Sequence, residues 1–280
     1  SNFNSARDAI LLTIADHLYH YDIRAAVATR LTNSAGAKRE ATFSPDGRTV
    51  AFVKSNNLYV TAVASPAERP LTTDGNAGLL NGVLDWVYSE ELYGSGIHRG
   101  YWWSPDSSSL AFIQLDETQV PEYTLVDDIP YRPAIERWDY PKAGDPNPTA
   151  RLGIVSTSGD PARWIDTSRY VDFLIVNVGW TPDSLAVIYQ IQDRQQTWLD
   201  LNRAERASGT TSTLLKETSR TWVERWQDAS ADPIWLRDGS FLWLSERTGW
   251  RHVYHYAGAG SLIRQVTSGE WEVRRVHALD

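Results

Sequence analysis

The most chemically suggestive residues of this chain are two adjacent carboxylates, Glu90 and Glu91, in the stretch Asp85-Trp86-Val87-Tyr88-Ser89-Glu90-Glu91-Leu92-Tyr93-Gly94. Aromatic neighbours lower the local dielectric and the two anions repel each other, so the pair favours a bound cation. A primary ammonium group fits, because its three N–H donors can be shared among carboxylate oxygens. Adjacent residues on an α-helix point about 100° apart, so both side chains can hold one ligand only from a short or irregular turn. A solvated helix face without a binding role is the alternative interpretation.

Other residue types that carry catalysis have no suitable pattern. The chain has no Gly-x-Ser-x-Gly nucleophile elbow, and Gly94-Ser95-Gly96 reads as part of a loop. The pairs His17/His20 and His252/His255 would point to opposite faces of a strand, which is poor geometry for a metal site. Because the chain has no cysteine, thiolate chemistry and cysteine zinc sites are excluded. We therefore predict no catalytic residue, no metal site and no cofactor within this chain.

Composition narrows the classes of partner. The formal net charge is −8, whereas nucleic acids and anionic membranes select basic surfaces. No apolar run approaches the roughly 18 residues that a membrane-spanning helix needs. Hydrophobic residues make up 42% of the chain and charged residues 22%, as in ordinary globular proteins. We predict a globular chain with no nucleic-acid partner and no membrane span.

A fourfold repeat indicates the fold. Each unit has an aromatic residue that ends one strand, a turn of Pro-Asp-Gly type, and then an apolar strand. The units begin with Phe43-Ser44-Pro45-Asp46-Gly47, Trp103-Ser104-Pro105-Asp106, Trp180-Thr181-Pro182-Asp183 and Trp235-Leu236-Arg237-Asp238-Gly239. Two further short strands follow in each unit, and four strands with turns between them are typical of a β-propeller blade.

We therefore predict an all-β fold, in which residues 1–280 form one β-propeller domain of four-stranded blades. Four blades look complete. Residues 9–32 resemble the outer strands of a blade that lacks its inner strands, and residues 272–276 resemble the opening of another blade. A propeller closes its ring to protect the sheet edges. We therefore interpret the chain as a partial propeller and expect the natural protein to extend in both directions.

Two insertions interrupt the blades. The first, at about 74–100, carries the glutamate pair together with glycine hinges at Gly78 and Gly94-Ser95-Gly96. The second, at 116–147, lies between two strands of one blade, and its prolines favour an extended arm or hairpin over a long helix. Long insertions in a compact fold are commonly functional, so we expect a function for both.

The second insertion is hereafter called the arm. It mixes charged residues with apolar ones, and an extended arm with that much apolar surface needs a cover in water. Pairing with a second copy across a two-fold axis is the simplest cover, because one patch then satisfies both subunits. We therefore predict a homodimer contact at the arm; the alternative is that it folds back on its own blade.

The chain resembles the dipeptidyl peptidase IV family. The stretch at 85–93, followed by Trp102-Trp103-Ser104-Pro105-Asp106, is similar to the double-glutamate segment of that family. The likeness covers nearly all of the chain from about residue 17. Other similar segments are Val120-Pro121, Tyr140-Pro141-Lys142-Ala143-Gly144, Asn147-Pro148-Thr149, Trp222-Val223-Glu224-Arg225-Trp226 and Gly249-Trp250-Arg251-His252.

The resemblance implies a function and site residues. The family joins an N-terminal eight-bladed propeller to a C-terminal α/β-hydrolase domain, and together they remove dipeptides with proline or alanine second. By this likeness Glu90 and Glu91 hold the free N-terminus of a peptide substrate. Arg225 and Trp226 match a loop that lines the same pocket, but the next position, often arginine in the family, is Gln227 here. Arg7 is the candidate for a family arginine that holds the substrate carbonyl. Family members also commonly dimerise through an arm at this place.

Three interpretations follow. The first is the substrate-gating propeller of a serine exopeptidase, whose catalytic α/β-hydrolase domain is absent from this chain. The second is a non-catalytic propeller that binds peptides or proteins. A Gly-x-Ser-x-Gly elbow followed by Asp and His downstream of Asp280 would decide for the first. The third, a glycosidase, suits adjacent glutamates poorly, because its two carboxyl groups stand about 5 to 9.5 Å apart across a sugar.

Overall fold

The computed structural model describes residues 2–224 and 233–277 and consists almost entirely of β-strands. The only helix in these ranges is a short π-helix, Val87–Leu92. Every strand pair is antiparallel, as in the sequential hairpins Ala9–Ile14 with His17–Asp22 and Thr49–Lys54 with Asn57–Ala62. The all-β class predicted from the repeat is thus confirmed. The chain forms two compact units, Ser1–Trp164 (unit 1) and Ile165–Asp280 (unit 2).

Unit 1 contains three sheets and a separate hairpin. The first sheet consists of β1 (Ala9–Ile14), β2 (His17–Asp22) and β3 (Val27–Arg30). The second consists of β4 (Arg39–Phe43), β5 (Thr49–Lys54), β6 (Asn57–Ala62) and β7 (Arg69–Pro70). The remaining strands are β8 (Leu79–Asn81), β9 (Tyr101–Trp103), β10 (Ser109–Asp116), β11 (Glu122–Asp127), β12 (Ala134–Asp139), β13 (Thr149–Ser156) and β14 (Arg163–Trp164). In the third sheet β14, β13, β10 and β8 are neighbours in that order and β9 also pairs with β10, while β11 and β12 pair only with each other.

Side chains on facing sheets form the core of unit 1. Leu18 of β2 and Phe52 of β5 are both fully buried and belong to one apolar cluster. Burying a side chain of this size stabilises the fold by about 1.5–3 kcal/mol. Tyr101 of β9 ties the third sheet to the second, because its buried hydroxyl lies 3.0 Å from the Thr42 hydroxyl and 3.0 Å from the Ala51 carbonyl oxygen. The apolar strand of each repeat therefore supplies the layer between sheets.

The repeated turn has the same hydrogen bonds at each of its first three occurrences. In the first, the Ser44 hydroxyl donates to Asp46 Oδ1 at 2.6 Å and accepts the N–H of Thr49 at 3.0 Å. Ser104 and Thr181 make the equivalent bonds, to Asp106 and Asp183. The side chains thus satisfy backbone groups that the tight turn would otherwise leave unpaired.

Unit 2 contains two four-stranded sheets. The first consists of β15 (Phe173–Trp180), β16 (Ala186–Asp193), β17 (Trp198–Glu205) and β18 (Thr211–Thr218). The second consists of β19 (Ile234–Trp235), β20 (Phe241–Ser245), β21 (His252–Tyr256) and β22 (Leu262–Gln265). Both sheets have the strand order of the chain, as expected for blades built from sequential hairpins.

Two predictions about the ends have different outcomes. Residues 9–32 do form a sheet of only three strands, as expected for an incomplete blade. Residues 272–276 have no strand partner here; because the first strand of a blade pairs with the strand that follows it, the opening of a further blade stays a prediction. Within the described residues, the N–H of Val273 donates a backbone hydrogen bond to the carbonyl of Arg251 at 2.8 Å. A strand needs a ladder of such bonds along a neighbour.

Candidate functional site

The glutamate pair lies on the π-helix Val87–Leu92. Its diagnostic bond runs from the N–H of Tyr93 to the carbonyl of Tyr88 at 2.8 Å, five residues back. The wider turn of a π-helix brings the directions of successive side chains closer together than the roughly 100° of an α-helix. The irregular turn that the sequence required for joint binding by Glu90 and Glu91 is therefore present.

Asp85 holds the beginning of this turn. Its two carboxylate oxygens accept the backbone N–H groups of Val87 at 3.1 Å and Tyr88 at 2.9 Å. Its own carbonyl accepts the N–H of Ser89 at 2.9 Å. These bonds satisfy donors that every helix leaves unpaired in its first turn, which is the role of an N-terminal cap. Asp85 is only 7% exposed, so the cap lies inside the protein.

The two glutamates differ in exposure, and their aromatic neighbours in the chain pack on one another. Glu90 is half-buried and Glu91 is exposed, whereas Tyr88 is fully buried. The ring of Tyr93 stacks 6.3 Å from that of Tyr88 and lies 5.8 Å from that of Trp102. No hydrogen bond or ion pair of the Glu90 side chain is found within residues 2–224 and 233–277. Two adjacent carboxylates therefore lie on one π-helical turn, next in the chain to residues whose rings pack on one another.

A glycine-rich loop returns the chain from the helix to β9. Gly94 and Gly96 have φ angles of 101° and 84°, in the left-handed region that favours glycine. Gly100 closes the loop at a tight approach, because a Cβ there would lie 2.9 Å from Leu84 Cδ2. The predicted glycine hinge after the pair thus forms a turn whose backbone fixes the exit of the helix.

The arm is a two-stranded hairpin that leaves the third sheet after β10 and returns at β13. The hairpin lies within residues 116–147, where the sequence predicts an extended arm or hairpin. At its root the ring of Tyr140 lies 4.3 Å from that of Trp86, the residue before the π-helix. The ring of Tyr123 lies 5.7 Å from that of Tyr140. The two insertions predicted to be functional are therefore in contact.

Three acidic residues share the space below this contact. Burial raises the pKa of Asp85, and the charge of Asp139 adds to the rise while the N–H groups of Tyr88 and Val87 oppose it. Burial, together with the charges of Asp85 and Asp139, raises the pKa of Glu117 to about 8. Glu117 therefore carries a proton at neutral pH. Within the described ranges, no group of three or more His, Asp or Glu residues is arranged to hold a metal ion.

The other predicted site residues have different outcomes. Arg225 and Trp226, with the neighbouring Gln227, lie outside the described residues. Arg7 lies exposed on unit 1 with a φ of 56°. Among the histidines, His252 is buried, with Nδ1 at 3.1 Å from the Thr267 hydroxyl and Nε2 at 3.0 Å from the Gly269 carbonyl. Those contacts occupy both ring nitrogens, in keeping with a structural role.

Unit 2 has a polar cavity of about 380 Å³ beside Trp222 and Glu224, which precede the segment predicted to line the substrate pocket. Its wall contains an ion pair with 2.5 Å between Arg247 Nη2 and Glu217 Oε1. Burial and the charge of Glu224 raise the pKa of Glu246, another lining residue. This cavity is a polar pocket with a net excess of carboxylates.

Sequence reasoning missed the supporting residues of the glutamate pair. Sequence reasoning assigns Asp85 to the double-glutamate motif but does not identify it as a helix cap. An aspartate directly before a helical turn is a recognisable signal for such a cap. Nor does sequence reasoning place Tyr140 or Glu117 near the pair. Their position depends on contacts between segments that lie far apart in the chain, for which no local pattern exists.

Comparisons with known proteins identify relatives. Residues 8–280 match the family model for the dipeptidyl peptidase IV N-terminal region. A probable dipeptidyl peptidase 4 of Aspergillus clavatus is 30% identical over 273 residues, covering 91% of this chain and 34% of the relative. An inactive dipeptidyl peptidase 10 of Rattus norvegicus is 29% identical over 257 residues, covering 86% of this chain and 31% of the relative.

A solved structure of a dipeptidyl peptidase 4 is also similar to this chain. The crystal structure of Porphyromonas gingivalis dipeptidyl peptidase 4 matches 99% of this chain and 40% of its own, with a TM-score of 0.86 and 29% identity. The chain spans about a third of the length of the curated relatives that it matches. The match confirms the β-propeller fold and its partial extent. On these grounds the chain belongs to the dipeptidyl peptidase IV N-terminal family.

Proposed function

We propose that this chain is the substrate-anchoring propeller domain of a serine exopeptidase that releases N-terminal dipeptides with proline or alanine second. In this proposal Glu90 and Glu91 bind the ammonium group of the peptide's free N-terminus. The observation that carries it is the placement of both carboxylates on one π-helical turn, which also holds the buried Tyr88 with its ring stacked on that of Tyr93. Charge-assisted N–H···O bonds to such a pair are stronger than neutral ones.

The chemistry of an exopeptidase explains the need for such an anchor. An enzyme that counts two residues from a free amine must fix that end of the substrate. The distance from the anchor to the nucleophile then decides which peptide bond is cut. A second, α/β-hydrolase domain of the same protein would supply the nucleophile, and we expect activity to require it.

The arm is proposed to form a homodimer contact. Its hairpin exposes large apolar side chains, with Ile129 92% exposed and Tyr131 fully exposed. Within the described part of the chain the two strands of the hairpin, Glu122–Asp127 and Ala134–Asp139, pair only with each other, so each has an edge without a partner strand there. A second copy would cover these edges and apolar side chains at once.

The anchor is tested by steady-state kinetics of the complete protein on chromogenic dipeptide substrates. Glu90→Gln and Glu91→Gln should each lower kcat/KM by about one to two decades, because each removes a charge-assisted bond worth about 1.5–3 kcal/mol. An N-acetylated substrate lacks the ammonium group, so we expect it to be poor with the wild type and unchanged by either substitution.

The matched control is Asp16→Asn. Asp16 is an exposed acid of the same unit, and its φ of 65° is one that asparagine adopts readily. The substitution Asp16→Asn removes one negative charge, as the glutamate substitutions do, but lies outside the π-helix. We therefore expect kcat/KM to stay at the wild-type value. Wild-type kinetics in both glutamate variants would refute the anchoring role.

A second candidate is a non-catalytic binding module. One relative at 29% identity is named an inactive dipeptidyl peptidase, so likeness over this region alone does not separate the two. In that case the complete protein would bind peptides with free N-termini, with the same dependence on Glu90 and Glu91, but would release no dipeptide. Calorimetric titration with a proline-containing tripeptide, run beside the kinetic assay, distinguishes the two.

A further inference from the structure

The root of the arm contacts the start of the π-helix directly. The ring centroids of Trp86 and Tyr140 are 4.3 Å apart, with the planes inclined at 55°. Trp86 immediately precedes the helix, and Tyr140 immediately follows β12. Tilted aromatic pairs at this separation are favourable beyond the area they bury. The contact is therefore a specific joint between the two insertions.

Tyr140 is held firmly from the side of the arm. Its N–H donates to the carbonyl of Pro121 at 3.0 Å, which closes the hairpin at its root. Its ring lies 5.7 Å from that of Tyr123, and the Lys142 ammonium lies 4.8 Å from the centroid of the Tyr123 ring. A continuous row of side chains thus runs from Trp86 into the arm.

A single π-helical turn needs such external support. Short helices are marginal in water, because fixing the first turn costs more than its few hydrogen bonds return. The Asp85 cap fixes the backbone at the beginning of the turn, but a cap does not by itself set the tilt of the helix against the sheet. Packing against the Trp86 side chain can do so, and Tyr140 provides that packing.

We propose that Tyr140 is a positioning residue for the glutamate pair: its ring holds Trp86 and so sets the direction in which the π-helix presents Glu90 and Glu91. The inference rests on the proposed function, because it concerns how those carboxylates meet the ammonium group. Only the ring of Tyr140 is needed for this role. Phenylalanine at this position should therefore preserve it, whereas leucine should not.

The structural half is tested by amide hydrogen exchange in the complete protein, which does not depend on catalysis. Tyr140→Leu should accelerate exchange in residues 86–93 by about three- to tenfold, the factor equivalent to an aromatic pair. Tyr140→Phe should leave it at the wild-type rate. The matched control is Tyr21→Leu, the same substitution at a half-buried tyrosine of β2, outside both insertions. It should leave exchange in residues 86–93 unchanged.

The positioning half is tested by a double-mutant cycle on KM for a dipeptide substrate. Tyr140→Leu alone should raise KM by about three- to tenfold with a smaller effect on kcat. In a Glu90→Gln background the same substitution should have little further effect, because the anchor it orients is already impaired. Tyr140→Phe alone should leave KM at the wild-type value.

Each outcome of these two experiments supports or overturns the positioning role of Tyr140. Unchanged exchange in Tyr140→Leu overturns the inference whatever the kinetics show. Faster exchange with strictly additive KM effects also overturns it, since Tyr140 would then stabilise the helix without orienting the carboxylates. If Glu90→Gln and Glu91→Gln leave KM and kcat unchanged while Tyr140→Leu raises KM, the proposed anchoring function fails, and with it the orienting role. Faster exchange with a non-additive cycle supports both.

Discussion

Asp85 and Glu117 place two buried acidic side chains close enough for the charge of one to disfavour ionisation of the other. Asp85 is 7% exposed and Glu117 is 8% exposed. The ionised form of Asp85 is stabilised by hydrogen bonds from two backbone N–H groups at the start of the π-helix. Burial, Asp85 and Asp139 instead raise the pKa of Glu117 to about 8. The π-helix that carries Glu90 and Glu91 therefore begins beside an acid that is protonated at neutral pH.

This arrangement predicts a pH dependence of stability. The pKa of Glu117 is about 8 in the folded protein against an ordinary value of 4.5, so between these values the folded state binds a proton that the unfolded state does not. Stability should therefore fall as pH rises from about 4.5 to 8, by at most about 1.4 kcal/mol per pH unit. Glu117→Gln should flatten this slope in urea denaturation at pH 5, 6.5 and 8. Parallel curves for the two proteins would contradict the assignment.

The contribution of Glu68 to stability should depend on pH in the opposite direction from that of Glu117. Although burial opposes it, hydrogen bonds from Ser34 and Asn33, with one from Lys54, lower the pKa of Glu68 to about 2. Its stabilising contribution is present above pH 4.5 and is lost as pH falls toward 2. At pH 7 Glu68→Gln should cost about 1–3 kcal/mol, and at pH 2 close to nothing. Urea denaturation at both values checks this. An equal cost at the two pH values would show that ionisation of Glu68 is not what stabilises the fold.

Glu217 should be a major contributor to the stability of unit 2. Its carboxylate accepts bonds from Arg247, from the Trp243 indole at 3.0 Å and from the Ser245 hydroxyl at 2.8 Å. Glu217→Ala leaves these donors without their acceptor, so we expect a loss of about 2–3 kcal/mol in the free energy of unfolding.

The control for Glu217 is Glu205→Ala in the same unit. Glu205 pairs with Arg203 at 2.6 Å but its side chain is 43% exposed. An exposed pair of this kind contributes about 0–1 kcal/mol. Equal losses in the two variants, measured by urea denaturation, would refute the importance of burial at Glu217.

Deleting residues 122–138 should convert a dimer of the complete protein to a monomer. The deletion removes the exposed apolar side chains and open strand edges of the arm but leaves Tyr140 in place. Light scattering reports the mass directly. A native protein that is already monomeric, or a deletion variant that stays dimeric, would show that the arm is not the interface.

Much of this molecule follows from local sequence. The repeated turns, such as Ser44-Pro45-Asp46-Gly47, predict strand ends because their hydrogen bonds lie within a few residues. The alternation of turns and apolar strands then predicts four-stranded sheets, since sequential hairpins bring neighbouring segments together. The adjacency of Glu90 and Glu91 leads to an irregular turn only if both carboxylates bind one ligand, because a regular α-helix would point them in different directions.

Only the tertiary structure decides how that turn is formed and held. In the tertiary structure the buried Asp85 side chain caps the beginning of the π-helix Val87–Leu92, and Trp86 packs on Tyr140. The raised pKa of Glu117 similarly arises from burial beside charges that come from other segments. Burial and electrostatic repulsion depend on distances in space, and sequence patterns are informative only about neighbours along the chain.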